Sequence, residues 1–479
     1  MVAIPARNGY CCEIIIVMPE AFTKARSLDS LEAEIHEIGE EIFQRAEDAA
    51  PPLLSRERWQ QMAMEWMTTD EDLKGRLFRF IESLPRLGSD AEVAGRLKEL
   101  VHRDNGHAPL PAALQLALAY KRNDSLYASI VAGLVRWGCG QSARQFICGQ
   151  TPEEAIDFVL RLRRAGMAFT LDLLGETVHS AEIARGHVET YLRLIEALSR
   201  SAKNWPVIPL IDEAPWGAIP RVNISTKLTA LAASIDHLPP AAAAAAMMPP
   251  LREILRAARS AGAFINVDME HYAIKDVTLD VFKQVLAEAE FRDWPDVGIV
   301  LQAYLRDTPQ DMRELAEWSR ERSTPITVRL VKGAYWDSEM ATARSAGLPP
   351  PVWTEKWQSD ACFEESARIM LDSADVLRPA IGSHNVRSIA AVLAYSRSIG
   401  LPPRTVELQM LTGMGDPLKR ALAGMRERVR VYSPFGDMVK GMAYLIRRLI
   451  ENTSNDSFLR QSFSADASRT ELLAKPGQR

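Results

Sequence analysis

The chain has 479 residues, 47% of them hydrophobic and 25% charged, with a formal net charge of −5 and a pI near 6.0. That balance offers no electrostatic footprint for nucleic acid, and no apolar run reaches the roughly 18 to 20 residues that span a bilayer. The five cysteines form no C-x-x-C pair and the eight histidines no metal-ligand cluster, which speaks for a reducing compartment and against a structural metal.

In chain order, Cys11–Met18 (CCEIIIVM) is short, contains Glu13 and lacks a cleavage pattern, so no secretory signal is read there and a cytoplasmic protein is expected. Leu31–Glu47 places Leu31, Ile35, Ile38, Ile42 and Phe43 near a 3.6-residue period, and Glu57–Ile81 repeats the pattern after Pro51–Pro52. A third helical stretch starts at Pro111. Residues 1–155 therefore read as a helical arm and helical domain whose apolar stripes are packing surfaces.

Near residue 160 the rhythm changes. Short apolar runs recur, each followed by a longer helical segment: Ala168–Leu174, Val222–Leu228, Ala263–Met269, Val297–Tyr304, Ile326–Val331, Pro379–His384, Thr405–Leu411 and Val429–Ser433. Eight such runs predict an α/β chain with a (β/α)8 barrel over residues 156–460, leaving 461–479 as a C-terminal tail. An open doubly wound sheet is the alternative, but the Gly-rich turn it normally carries after its first strand is missing. Most runs end in polar residues: Asp172 and Glu176, Lys227, Asp268 and Glu270, Gln302, Arg329 and Lys332, His384 and Asn385, Glu407 and Gln409. Barrel active sites lie at those C-terminal strand ends.

Three constellations carry chemistry. In Val328–Glu339 (VRLVKGAYWDSE), Arg329 and Lys332 precede Gly333, Ala334, Tyr335 and Trp336, a set that suits an anionic, planar ligand. Surface salt bridges, or a Schiff-base lyase using Lys332 or Lys227 if burial lowers the lysine's pKa, are the alternatives. In VDMEHYA, Asp268 and Glu270 are expected on one side of a strand, as a carboxylate pair for acid/base work. The simpler role, Asp268 as the ion-pair partner of a neighbouring arginine, is favoured. In LIRRLIEN, Arg447 and Arg448 lie one helical turn from Glu451, which gives either a carboxylate clamp or a solvated helix face.

The segments TLDLLGE, STKLTAL, NVDMEHYA, GIVLQAYLRD, VRLVKGAYWDSE, GSHNV, ELQMLTGMGD, VYSPFGD and YLIRRLIENTSNDSF, in order over about residues 165–460, closely resemble the proline dehydrogenase family. The likeness is greatest to the dehydrogenase half of bacterial proline utilization A, and Trp59–Pro85 resembles the helical segment that precedes the barrel there. The resemblance implies a distorted (β/α)8 barrel with noncovalent FAD. It implies oxidation of L-proline to Δ1-pyrroline-5-carboxylate by hydride transfer to flavin N5, with electrons passing to a membrane quinone and hence peripheral contact with the inner membrane.

It also implies residue roles. Arg329 would stand near flavin N5 and Gln302 near the pyrimidine edge. Lys332, Gly333, Ala334, Tyr335 and Trp336 would line the cofactor's phosphate, ribose and ring regions, and His384 and Asn385 its adenosine side. Lys227, Arg447 and Arg448 would clamp the substrate carboxylate, with Asp268 and Glu451 as orienting partners. Leu330 and Tyr335 would pack the apolar ring. Lys419 stands where some family members are expected to place a tyrosine over the substrate, which keeps hydroxyproline open as an alternative substrate. The bifunctional relatives continue into an aldehyde dehydrogenase half, so the chain is expected to be either a stand-alone enzyme or the first half of a longer one, with that second activity as a possible partner.

Overall fold

In the computed structural model the described residues are 27–49, 89–93, 95–96, 146–175, 178–437 and 468–478. The helices expected over Glu57–Ile81 and from Pro111, together with Glu176, Arg447, Arg448 and Glu451, lie outside them.

Alternation along eight short strands sets the architecture. The strands are β1 Ala168–Leu173, β2 Asn223–Lys227, β3 Phe264–Asp268, β4 Val297–Gln302, β5 Ile326–Val331, β6 Leu377–Gly382, β7 Glu407–Leu411 and β8 Arg428–Phe435. Each pairs in parallel with its sequence neighbours, and β1 closes the ring by pairing with both β2 and β8. All eight expected runs are strands of this barrel, offset by at most about two residues at their ends. One residue parity is apolar and faces out: Phe169, Leu171 and Leu173 in β1, or Ile326, Val328 and Leu330 in β5, all buried in one continuous core. The opposite parity is largely polar and faces in, as the neighbouring-strand contact Thr170–Ser225 and the cross-barrel contact Arg329–Ser225 show.

Helices cover the outward face: α1 Glu32–Asp48, α2 Pro152–Arg164, α3 Ala181–Ala202, α4 Pro240–Ala261, α5 Lys275–Ala287, α6 Thr308–Arg322, α7 Trp336–Ala346, α8 Lys356–Asp372, α9 Val386–Ser398, α10 Asp416–Gly424 and α11 Arg469–Leu473. The entry helix α2 shows why they start where they do. Thr151 caps it by accepting from Glu154 N at 3.3 Å, Pro152 opens its first turn, and Arg161, Arg163 and Arg164 face its carboxyl end.

The expected helix at Leu31–Glu47 is α1. Its stripe of Ile35, Ile38, Ile42 and Phe43 joins the core of the barrel layer, where it packs on α9 and α10. A buried arginine fixes that docking. Arg387, on α9, forms paired bonds to Glu32 of α1 (2.5 and 2.8 Å) and to Glu364 of α8 (3.0 and 3.2 Å), and donates to the Leu473 carbonyl of α11 at 3.1 Å. Removing one partner of a buried, hydrogen-bonded pair leaves uncompensated charge, at about 3–5 kcal/mol. Arg387→Met is therefore expected to lower unfolding free energy by about that much in urea titrations. A loss below about 1 kcal/mol, the range of an exposed pair, would show that the arginine does not hold the arm.

Candidate active site

The upper strand ends gather one polar network. Arg329, on the inward face of β5, donates to Asp268 Oδ1 at 2.8 Å and to Ser225 Oγ at 2.9 Å. Asp268 also accepts from Asn266 Nδ2 on Oδ1 and from the Tyr432 hydroxyl on Oδ2, both at 2.9 Å. The Tyr432 ring lies against the guanidinium, with its centroid 5.3 Å from Cζ. Four strands thus hold one arginine.

Beside it, Lys227 at the end of β2 pairs with Asp172 of β1 at 2.5 Å; the carboxylate is 1% exposed and the lysine side chain 18%. The lysine therefore reaches toward solvent while its partner stays buried. Burial alone would lower the Lys227 pKa, but Asp172, Asp268 and Tyr191 outweigh it and raise the pKa. Schiff-base chemistry needs the neutral amine, so this environment opposes the lyase reading at Lys227. Lys332 is ion-paired as well, with Asp360, its ammonium 5.9 Å from the centre of the Phe363 ring.

The segments after β4 and β5 are zipped together, Ala303 N donating to Val331 O at 2.8 Å and Tyr304 N to Lys332 O at 2.7 Å. Gly333 has φ +125°, and a Cβ there would lie 2.4 Å from the Tyr304 ring, so only glycine fits. Tyr335 packs on Tyr304, Leu305 and Val352. Ala334 is exposed, and Trp336 is 39% exposed with its Nε1 donating to Trp353 O at 2.7 Å. Among the buried polar atoms here without a hydrogen-bond partner are Asp172 Oδ1, Gln302 Oε1 and Arg329 Nε. His384 Nε2 accepts from Leu411 N at 3.2 Å.

A model of the proline dehydrogenase family matches residues 155–461, and one of the proline utilization A N-terminal domain matches residues 32–146. The chain belongs to the proline dehydrogenase family. The bifunctional protein PutA of Escherichia coli (strain K12) is 29% identical over 354 residues, 72% of this chain and 26% of that protein. Proline dehydrogenase 1 of Bacillus subtilis (strain 168) is 27% identical over 323 residues, 67% of this chain and 91% of that protein. Proline utilization A from Bdellovibrio bacteriovorus, solved after inactivation by N-propargylglycine, superposes with a TM-score of 0.85 at 38% identity, over 94% of this chain and 44% of that one. The chain spans about a quarter of the length of the bifunctional curated relatives it matches.

Of the roles that likeness to proline dehydrogenases implies, the structure brings Arg329, Asp268 and Lys227 together and corrects that of Leu330; it also gives the contacts of Glu270, Asn385 and Lys419. Leu330 follows Arg329 on the strand, so its side chain points to the opposite face; it is fully buried in the core and is not positioned to pack a substrate ring. Glu270 lies beyond the end of β3 and is held by Thr229, from Oγ1 at 2.6 Å and N at 3.3 Å, so it forms no pair with Asp268. The Asn385 side-chain oxygen caps α9 by accepting from Ser388 N at 3.2 Å, a structural duty that accounts for its burial. Lys419 is buried in α10, bound to Asp416 at 2.6 Å and to the Leu411 carbonyl at 3.0 Å. The tyrosine at the site is Tyr432, which the sequence reading missed; its signal is the inward parity of Arg428, Arg430 and Tyr432 in β8.

Burial pushes the Glu270 carboxyl up to about 7. The native state thus holds a proton that the unfolded chain releases near 4.5, so stability falls as pH rises from about 4.5 through 7 and then levels off. Glu270→Gln keeps the Thr229 contact without the charge. Between pH 5 and 8 the wild type is expected to lose about 2 to 3 kcal/mol relative to this variant, as measured by urea unfolding. Equal losses in the two proteins would show that Glu270 is ionised throughout.

Proposed function

We propose that this chain catalyses the flavin-dependent oxidation of L-proline to Δ1-pyrroline-5-carboxylate. The observation that carries the reading is the pair of fixed cations at the barrel mouth, Arg329 and Lys227, each tied to a buried carboxylate. Proline is a carboxylate on a small apolar ring, and such a ligand needs cationic recognition at one end and carbon packing at the other.

The residues fit FAD. Gln302 Oε1 and Arg329 Nε are buried polar atoms awaiting partners, and Gly333 leaves its backbone open where a side chain would collide with Tyr304. In this reading Arg329, Gln302, Lys332, Gly333, Ala334, Tyr335 and Trp336 hold the cofactor, with His384 and Asn385 toward its adenosine end. Bound flavin supplies the two-electron acceptor that no side chain can provide. Asp268, Ser225 and Tyr432 keep Arg329 in one rotamer, so its charge is in place before substrate arrives. Lys227 stays protonated and attracts the proline carboxylate, and Tyr335 packs its ring. Arg447, Arg448 and Glu451 complete the clamp on the strength of their motif. No strong protein base is required when the amine enters neutral.

Electrons leave for a membrane quinone in this proposal, by peripheral contact, since no helix among the described residues is long and apolar enough to cross a membrane. The product, once hydrolysed to its open-chain aldehyde, passes to an aldehyde-oxidising activity, in a further half of the same protein or in a partner.

Two measurements test the proposal. The protein is expected to take up FAD, to lose flavin colour under anaerobic L-proline, and with an acceptor dye to form product trapped by o-aminobenzaldehyde. A colourless protein that refuses FAD ends the reading. Arg329→Met is expected to retain FAD yet slow proline-dependent bleaching by roughly ten- to a hundredfold, the size of one lost charged hydrogen bond. An unchanged rate would place Arg329 away from the reacting atoms.

A further inference from the structure

The opposite end of the barrel holds a second charged cavity. Between α3 and β2 the chain forms a small hairpin, Glu213–Ala214 against Gly217–Ala218, whose turn carries Trp216. Beneath Trp216 lies a cavity of about 40 Å³, bounded by the first inward residues of several strands, among them Asn223, Arg378, Glu407 and Arg428. Arg428 stands four residues before Tyr432 on β8, so this cavity is roughly 13 Å along the strand from the Arg329 network.

Its charges do not balance. Arg378, Arg428 and Arg430 face two carboxylates, Glu407 and Asp296. Glu407 is largely spent on Arg430, which reaches both its oxygens at 2.6 and 2.8 Å, and on Gln409 at 2.7 Å. Arg378 has only long contacts, 3.4 Å to both Asp296 and the Pro295 carbonyl. Arg428 is 2% exposed; its Nε lies 3.2 Å from Glu407 Oε2, an ion pair without hydrogen-bond geometry, and its Nη1 reaches the Glu213 carbonyl only at 3.5 Å, so one carboxylate is shared by two arginines. Trp216 Nε1, Asn223 Oδ1 and Gln409 Oε1, all from residues lining the same cavity, are also buried without partners. Both guanidiniums lie against the Trp216 ring, at 4.9 Å for Arg378 and 5.5 Å for Arg428. Such contact engages the guanidinium near the ring and leaves N–H groups available for an acceptor.

Water can satisfy orphaned dipoles in a cavity of this size, but it does not neutralise surplus charge. We propose that this cavity is a binding site for one small oxyanion, a carboxylate or an inorganic phosphate, held by Arg378, Arg428 and the Trp216 indole N–H. The Asn223 amide can turn its N–H toward the anion, since O and N of an amide exchange places by a simple flip. Burial already draws the Arg428 pKa down to about 10, the response of a cation short of counter-charge, and an anion would reverse it. The hairpin then closes the barrel's lower mouth around a bound ion, and occupancy is coupled to stability because the unfolded chain has no such site.

Thermal unfolding of the full chain, titrated with sodium phosphate or sodium acetate against sodium chloride at matched ionic strength, tests this. A saturable rise in melting temperature on the order of 3 °C is expected with at least one oxyanion. It should be lost in Arg378→Gln, whose side chain is 14% exposed at the cavity rim, and kept in Arg329→Met, which removes a cation from the other end. Calorimetric titration of the wild type already saturated with L-proline should give one further bound anion per chain, a reading that needs no variant to fold. Phosphate acting alone assigns the site to phosphate, and acetate acting equally assigns it to carboxylates. A response no larger than that of chloride, or one lost in Arg329→Met and kept in Arg378→Gln, overturns the proposal.

Discussion

Asp268 sits inside the barrel with both carboxylate oxygens in use, one shared by Arg329 and Asn266 and the other by Tyr432. An eight-stranded barrel is just wide enough for its own side chains to fill. When those side chains are charged, each is taken out of water and needs a partner across the ring. Asp268 meets that demand for β3, β5 and β8 at once, and Arg329 extends the link to β2 through Ser225. The positions of the site's charges are therefore fixed by strands and not by loops, which is what a preorganised site requires. Apolar burial is left to the outward parity, where Ile326, Val328 and Leu330 meet the helices.

The division explains what could be read from the sequence. Strand positions were legible because the outward parity is almost uniformly branched or aromatic and each run ends in polar residues at the same end. Arg329, Asp268 and Lys227 were legible for the same reason. Leu330 was misplaced because a motif match ignores parity, and one step along a strand reverses the face. The alternative of an Asp268–Glu270 pair falls because a spacing of two implies a common face only while the strand continues, and β3 ends at Asp268. Tyr432 and Asp172 acquire their roles through partners at least 55 residues away, Asp172 at Lys227 and Tyr432 at Asp268. No local pattern encodes such pairings. Arg387 is the extreme case, an arginine in an otherwise ordinary helix whose partners come from near both ends of the chain.

The two ends of the barrel use the same materials differently. At the upper end each cation has its own carboxylate: Arg329 has Asp268, Lys227 has Asp172 and Lys332 has Asp360. At the lower end Glu407, held down to about 2 by Arg430 and Arg428 against the pull of burial, is shared between two guanidiniums, and Arg378 has only a long contact to Asp296. The stacking of Arg378 and Arg428 on Trp216 orders those cations without neutralising them.

The Arg387 junction has a consequence for synthesis in time. Glu32 and Arg387 are 355 residues apart. At about 5 to 20 residues per second, a ribosome needs roughly 20 to 70 s to make the second after the first. Throughout that interval Ile35, Ile38, Ile42 and Phe43 have no α9 or α10 surface to cover them. The nascent chain thus carries this apolar stripe well before the barrel exists. A holdase acting on that N-terminal segment would raise the yield of folded protein without altering the finished fold.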